Sequence, residues 1–244
     1  MSKKIALLIA IAAVVLTIVL THDKTPTTKQ LTLRFKPFVN NTPLVLHHQN
    51  YPNLGGEGTF IIREFQLFIS NIKLTSNNSS YVEAESYHLL RFDGDNNYYE
   101  IVLPNIGASA YQQIEFAIGV DPKANGSITI AGDLDPNSRM AWSWDVGYKF
   151  LLLEGELTQH QQQIPLVYHV GFDENYTRLS FPINTATHVA NSQLNFHIEI
   201  SHLFGSENPI DLAEISTVKF DEDDAALIAG GFKSFISLKH AVID

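Results

Sequence analysis

Cysteine is absent from the 244 residues. Three readings close with that absence: a disulfide framework, a thiolate metal site, and a lipid-bearing cysteine at the end of a leader. Methionine is nearly absent too, only Met1 and Met140, which excludes a Met-rich surface for soft metals. Positive charge is scarce, with 16 Lys and Arg against 26 Asp and Glu, a net charge of −10. Nucleic-acid binders need clustered positive charge to release counterions, so no nucleic acid is expected as a partner. Also missing are the Gly-x-Ser-x-Gly elbow, the P-loop, the dinucleotide fingerprint and the His-Glu-x-x-His motif. What is present is the material of a packed core: 45% hydrophobic and 11% aromatic residues, in a chain long enough to bury one sizeable core as a single domain.

The first twenty-odd residues read separately. Ser2, Lys3 and Lys4 precede an uncharged run from Ile5 to Leu20 that is apolar except for Thr17. A helix of that length covers roughly 24 Å, slightly under the ~30 Å hydrocarbon core, which suits an export signal or a short anchor. Thr21, His22, Asp23 and Lys24 offer no small-x-small cleavage site. Residues 1–22 are therefore expected to be a signal peptide or signal anchor, with residues 5–21 holding the chain in the inner membrane of a bacterium. The lysines keep the N-terminus cytoplasmic and put the remainder in the periplasm. The polar, proline-bearing stretch 23–30 reads as a linker, leaving 31–244 as the folded domain.

Within that domain, short β-branched and aromatic runs alternate with turn clusters. The pattern predicts strands over Leu31–Lys36, Phe60–Leu74, Tyr87–Phe92, Tyr98–Leu103, Tyr111–Val120 and Ser127–Ala131. Further strands are predicted over Lys149–Leu157, Pro165–Val170, Thr177–Phe181, Leu194–Ile200 and Phe232–Leu238. Helical signals are few. Asp221–Ala229 has acidic residues first and Gly230-Gly231 as a stop, and a short turn is expected at Ser206–Leu212. The expected fold is all-β, an antiparallel β-sandwich with one or two short helical inserts, preceded by an N-terminal hydrophobic helix.

Chemistry concentrates in one stretch, Gly132 to Gly155, which holds both tryptophans and the internal methionine. In an extended chain Met140, Trp142 and Trp144 share one face, which suits a core stripe or a soft-metal pocket. The pattern Gly-Asp-Leu-Asp-Pro…Met-x-Trp-x-Trp-x-x-Gly-Tyr-Lys-Phe…Glu-Gly over these residues resembles the signature of the MbnP-like family, methanobactin-associated periplasmic copper-binding proteins. Phe65–Leu74, Tyr87–Leu90, Tyr111–Asp121 and Tyr168-His169-Val170-Gly171 match that family's other motifs in order, so the resemblance covers about residues 31 to 240.

The resemblance implies an exported, non-enzymatic protein that binds Cu(I) in copper homeostasis. It implies a diheme, peroxidase-like (MauG-like) partner that oxidises a tryptophan to kynurenine, whose aryl amine joins histidines around copper. Trp142 and Trp144 are the candidates for oxidation, with His169 and His88 as ligands and Met140 as a weak thioether donor. Each has a plainer reading: a lone His is usually structural, and a buried Met or Trp is usually packing. His47 and His48 are neighbours that would point apart on a strand, and His197 and His202, five apart, would face opposite sides of an unbroken strand. His160 and His188 sit in polar loops. Asp133 with Asp135, and Asp221–Asp224, supply oxygens of the kind Ca²⁺ takes, without the 12-residue loop pattern. The alternatives are an adhesion or carbohydrate-binding module without metal, and a hydrolase using Glu154 or Glu156.

Overall fold

The computed structural model describes residues 30–93, 97–107, 111–127, 132–143, 147–183, 192–205 and 209–242. The leader, most of the linker and all but the first residue of the predicted strand Ser127–Ala131 lie outside them. Among the described residues, no helix is long and apolar enough to cross a membrane.

In chain order the strands are β1 (Leu31–Val39), β2 (Thr42–Pro43), β3 (Tyr51–Pro52), β4 (Thr59–Thr75), β5 (Ser80–Val82), β6 (Tyr87–Arg91), β7 (Tyr99–Leu103) and β8 (Gln113–Ile118). They continue with β9 (Ala141–Ser143), β10 (Gly147–Gln159), β11 (Gln162–Gly171), β12 (Thr177–Pro182), β13 (Ser192–Glu199), β14 (Thr217–Val218) and β15 (Ile236–Val242). Short helices are α1 (Pro122–Asn125), α2 (Glu222–Ala229) and α3 (Phe232–Phe235). The smaller sheet runs β15-β13-β1-β2, with β7 also on β1; the larger runs β12-β8-β4-β10-β11-β14, with β3, β5 and β6 on β4 and β9 on β10.

Alternation explains the layers. Leu31, Leu33, Phe35, Pro37 and Val39 of β1 are buried while the residues between them are half-exposed, so one face of the strand turns inward. The inner faces meet in an aromatic cluster, with Phe35 stacked 4.9 Å from Phe196 and Phe116 edge-on to both. Each buried ring contributes about 1.5–3 kcal/mol. The long β4 is the spine of the larger sheet. β10 pairs with Phe60 to Leu67 and β8 with Ile69 to Thr75. Where those two partners meet, Gly119 lies so close to the Phe150 ring that a Cβ would come within 2.5 Å of it.

A second apolar cluster lies on the outer face of the larger sheet. Phe68, Leu89, Phe150 and Leu152 are covered there by Leu134, Met140 and Tyr148. This cover places the tryptophan segment on the outside of the sandwich, away from the main core.

The sandwich architecture matches expectation, but its pairing is mixed. β1 runs parallel to β13, and β11 parallel to β14. Parallel neighbours need long crossovers, and most of the chain separates β1 from β13. The helix at Glu222–Ala229 stands where expected, with Asp221 accepting from the Asp224 N–H at 2.9 Å. Phe232–Phe235 is helical where a strand was predicted: Phe232 and Phe235 are both buried at a spacing that one helix face provides and strand alternation does not. A 3-10 helix stands over Ile200–Phe204, at the end of a predicted strand, and the turn expected at Ser206–Leu212 lies partly outside the described residues. Residues 206–208 lie outside the described ones.

Candidate metal centre

The tryptophan segment docks where β11 ends. His169 and Gly171 are two residues apart on one strand, so they share a face about 7 Å apart. His169 pairs with Leu152, Leu152 with Gln66 and Gln66 with Arg91, a row crossing β11, β10, β4 and β6. Leu152 belongs to the outer cluster, which puts His169 and Gly171 on the outer face. Trp142 lies over Gly171: a Cβ there would be 2.7 Å from the indole Cζ3 and 2.5 Å from the Tyr148 carbonyl oxygen. The His-aliphatic-Gly motif thus has a steric meaning, an imidazole beside a gap that an indole fills. Phe172 and Phe220 flank the indole at 5.2 and 5.4 Å. Among the described residues its Nε1 is buried without a hydrogen-bond partner, an arrangement that costs free energy.

His169 is oriented by Glu154, whose Oε1 lies 2.9 Å from Nε2. A carboxylate only accepts, so Nε2 carries the hydrogen and the neutral ring keeps its lone pair on Nδ1. Burial pushes the His169 pKa below the ordinary imidazole value, outweighing the carboxylate's opposing pull. Glu154 directly opposes Glu64 across the β10–β4 ladder, a like-charge pair that would repel. Arg139 resolves it, pairing with Glu64 through Nη1 and lying 3.5 Å from Glu154 through Nη2. Glu64 foremost raises the Arg139 pKa. Lys149 is buried beside this network, its Nζ donating to the Arg139 carbonyl at 2.5 Å, and burial lowers its pKa.

The rest of the tryptophan segment is structural joinery. Asp133 accepts from the Leu89 N–H at 2.8 Å, fastening the segment to β6. Asp135 accepts from the Asn137 N–H and caps the 3-10 turn Pro136–Ser138. Tyr148 donates to the Leu134 carbonyl. Gly147 has φ 86° and presses on the Asn125 amide, whose Oδ1 accepts from Tyr148 N. A side chain at that position would meet both a backbone and a steric penalty.

The predicted site residues separate. Trp142 rests over Gly171, two residues from His169 on the same strand face. Met140 is fully buried in the outer cluster under the flap. Trp144 lies outside the described residues. His88 is three residues from Arg91 and pairs with Ile69, so it faces the opposite side of the sheet from His169. Its Nε2 lies 2.8 Å from Glu83, far from any copper site built on β11. His160 is an exposed partner of Glu57, and His188 lies outside the described residues. Glu156 pairs with Arg63 at 3.0 Å, so Glu154 and Glu156 are each tied to their own cations.

Glu154, Arg139, Glu64, Phe172 and Phe220 complete the surroundings, and the sequence did not associate them with the site. Glu64 and Glu154 carried a signal only jointly, as carboxylates in adjacent strands needing a shared cation. Among the described residues, no three His, Asp or Glu side chains form a group that could hold a metal.

These features define a class: a β-sandwich carrying an imidazole beside an indole on its outer face, under an Asp-anchored flap. The family model described as MbnP matches residues 28–220. The chain belongs to the MbnP family. Its fold is also similar to that of MbnP from Methylosinus trichosporium, with a TM-score of 0.56 at 17% identity, covering 89% of this chain and 100% of that one. None of the curated proteins matches the chain.

Proposed function

We propose that this protein is a copper-binding member of its family, exported to the periplasm and held at the inner membrane by residues 5–21. It acts as a binder of Cu(I) rather than as an enzyme. The observation that carries this reading is the juxtaposition of His169 and Trp142 across Gly171. The residues fit copper only in part. His169 offers a neutral imidazole whose Nδ1 lone pair is free of the Glu154 hydrogen bond, and imidazole is a good copper donor. An indole nitrogen is not, and Arg139 already neutralises the neighbouring carboxylates. Oxidation of Trp142 to kynurenine by a diheme, peroxidase-like partner would replace the indole with an aryl amine and a ketone, supplying the missing donor. The Glu154–His169 hydrogen bond then serves as the outer support that fixes a ligand's tautomer and raises its basicity.

Trp142 is our choice over Trp144 because His169 lies two residues from the Gly171 beneath it, and among the described residues its Nε1 lacks a partner. The test is Cu(I) titration of protein from cells making the oxidising partner, compared with His169→Ala. Loss of at least tenfold in affinity supports the assignment. Unchanged affinity in the variant removes His169 from the site.

A further inference from the structure

Two rings flank the Trp142 indole, Phe172 at 5.2 Å and Phe220 at 5.4 Å. Phe172 is half-buried, whereas Phe220 is 64% exposed. Among the described residues it is the one aromatic in the set of exposed large hydrophobic side chains. Apolar side chains exposed within a polar rim mark interaction sites.

The same two residues follow each ring. Phe172-Asp173-Glu174 comes directly after β11, and Phe220-Asp221-Glu222 leads into α2, which continues with Asp223 and Asp224. Successive Cα atoms are about 3.8 Å apart, so acid begins one residue from each ring. α2 lies against the 3-10 turn Asp173–Asn175, which joins the two acidic segments into one rim.

Residues 172–174 and 219–224 carry six carboxylates and one base, Lys219. Among the described residues no ion pair neutralises Glu174, Glu222, Asp223 or Asp224, whereas Glu64, Glu154 and Glu156 are each tied to an arginine.

That charge selects what covers the patch. A second copy docked face to face would set acid against acid, and an anionic membrane surface would be repelled. A partner with a cationic rim around an apolar centre is complementary. We propose that Phe220, ringed by Glu174 and Glu222–Asp224, is the docking surface for a basic face of the protein that oxidises Trp142. The proposal rests on the kynurenine reading and adds the side from which the partner arrives. Phe220 anchors the contact, and the carboxylates steer the encounter.

The test titrates the purified diheme, peroxidase-like partner onto detergent-solubilised full-length protein by biolayer interferometry. A complex is expected at about 20 mM salt and should weaken several-fold at about 300 mM, where screening shortens the reach of charge. Phe220→Ser should weaken it roughly tenfold or more, and so should the triple reversal Glu174→Lys/Glu222→Lys/Asp223→Lys. Asp173 and Asp221 are left in place because they hold Asn125 and cap α2. Leu54→Ser removes a side chain that is 57% exposed and lines a different pocket, with Asn40 and Ser201, and should change nothing.

Phe220→Ser also removes a neighbour of the indole. The charge reversal alters no ring, and it decides the matter alone if Phe220→Ser loses its melting temperature. Undiminished binding in either folded variant, or no complex with the unaltered protein, overturns the docking surface. Peptide mass spectrometry on cells making both proteins then separates the two claims. Modified Trp142 leaves the kynurenine reading standing, and unmodified Trp142 removes it as well.

Discussion

Replacing Gly171 with alanine tests whether the missing side chain is what seats Trp142. The added Cβ would sit 2.7 Å from the indole Cζ3 and 2.5 Å from the Tyr148 carbonyl oxygen, and neither distance is tolerable for carbon. The indole could tilt away, but Phe172 and Phe220 flank it, and the carbonyl belongs to a backbone paired within β10. Gly171 is not among the residues with positive φ, so the penalty is steric rather than conformational. Overpacking of this kind costs about 1–3 kcal/mol. For a domain of this size each kcal/mol moves the melting temperature by roughly 2–4 °C, so a fall of about 2–12 °C is expected. The assay is thermal unfolding with tryptophan emission in a Trp144→Phe background, where Trp142 alone reports. Alanine should also red-shift the emission and weaken Cu(I) binding in the partner-oxidised protein. A variant with unchanged melting temperature and unchanged emission would refute the packing argument, because the indole could not then be resting on Gly171.

Further expectations follow from the same surface. Asp133→Ala strips the acceptor from the Leu89 N–H and should cost about 1–3 kcal/mol in denaturant unfolding; an unshifted midpoint would mean the flap is not fastened there. Met140→Ala should cost about 2–5 kcal/mol, as for any large-to-small change in a closed cluster, without lowering copper affinity. A copper loss at preserved fold would make Met140 a ligand after all. Burial holds His169 and His197 below the ordinary imidazole value when folded. The unfolded chain therefore binds more protons, so their contribution is present above ~6.5 and lost as pH falls towards the lower folded values. The melting temperature should drop across that window, with a shallower slope in His169→Gln, and a flat profile would contradict the assignment.

Much of this was legible in sequence, and for identifiable reasons. Alternation along Leu31–Val39 reports one buried face directly, so β1 could be read in isolation. The parallel pairing of β1 with β13 could not, because nothing in either strand names its partner. Phe232 and Phe235 looked like strand because their helical spacing depends on burial that only the fold supplies. At the site, Trp142 and His169 were each visible as residue types of interest. Their meeting depends on Gly171, whose meaning emerges only when the flap is laid over β11. His88 illustrates the converse: its motif was read as a ligand candidate, yet strand parity turns it to the other side of the sheet. The break at Glu199 that puts His202 in a 3-10 helix beyond the strand carrying His197 is likewise invisible to a periodicity argument, since it arises from a side chain capping its own turn.

The central claim is that Trp142, beside His169, becomes part of a copper site by oxidation. The most direct measurement is peptide mass spectrometry with metal analysis on protein from native envelopes or from cells making the diheme partner. The account predicts that Trp142, not Trp144, carries the exchange of one carbon for one oxygen that marks kynurenine, with copper bound to the modified protein. Unmodified Trp142 in copper-free protein, from cells where the partner is active, would contradict it.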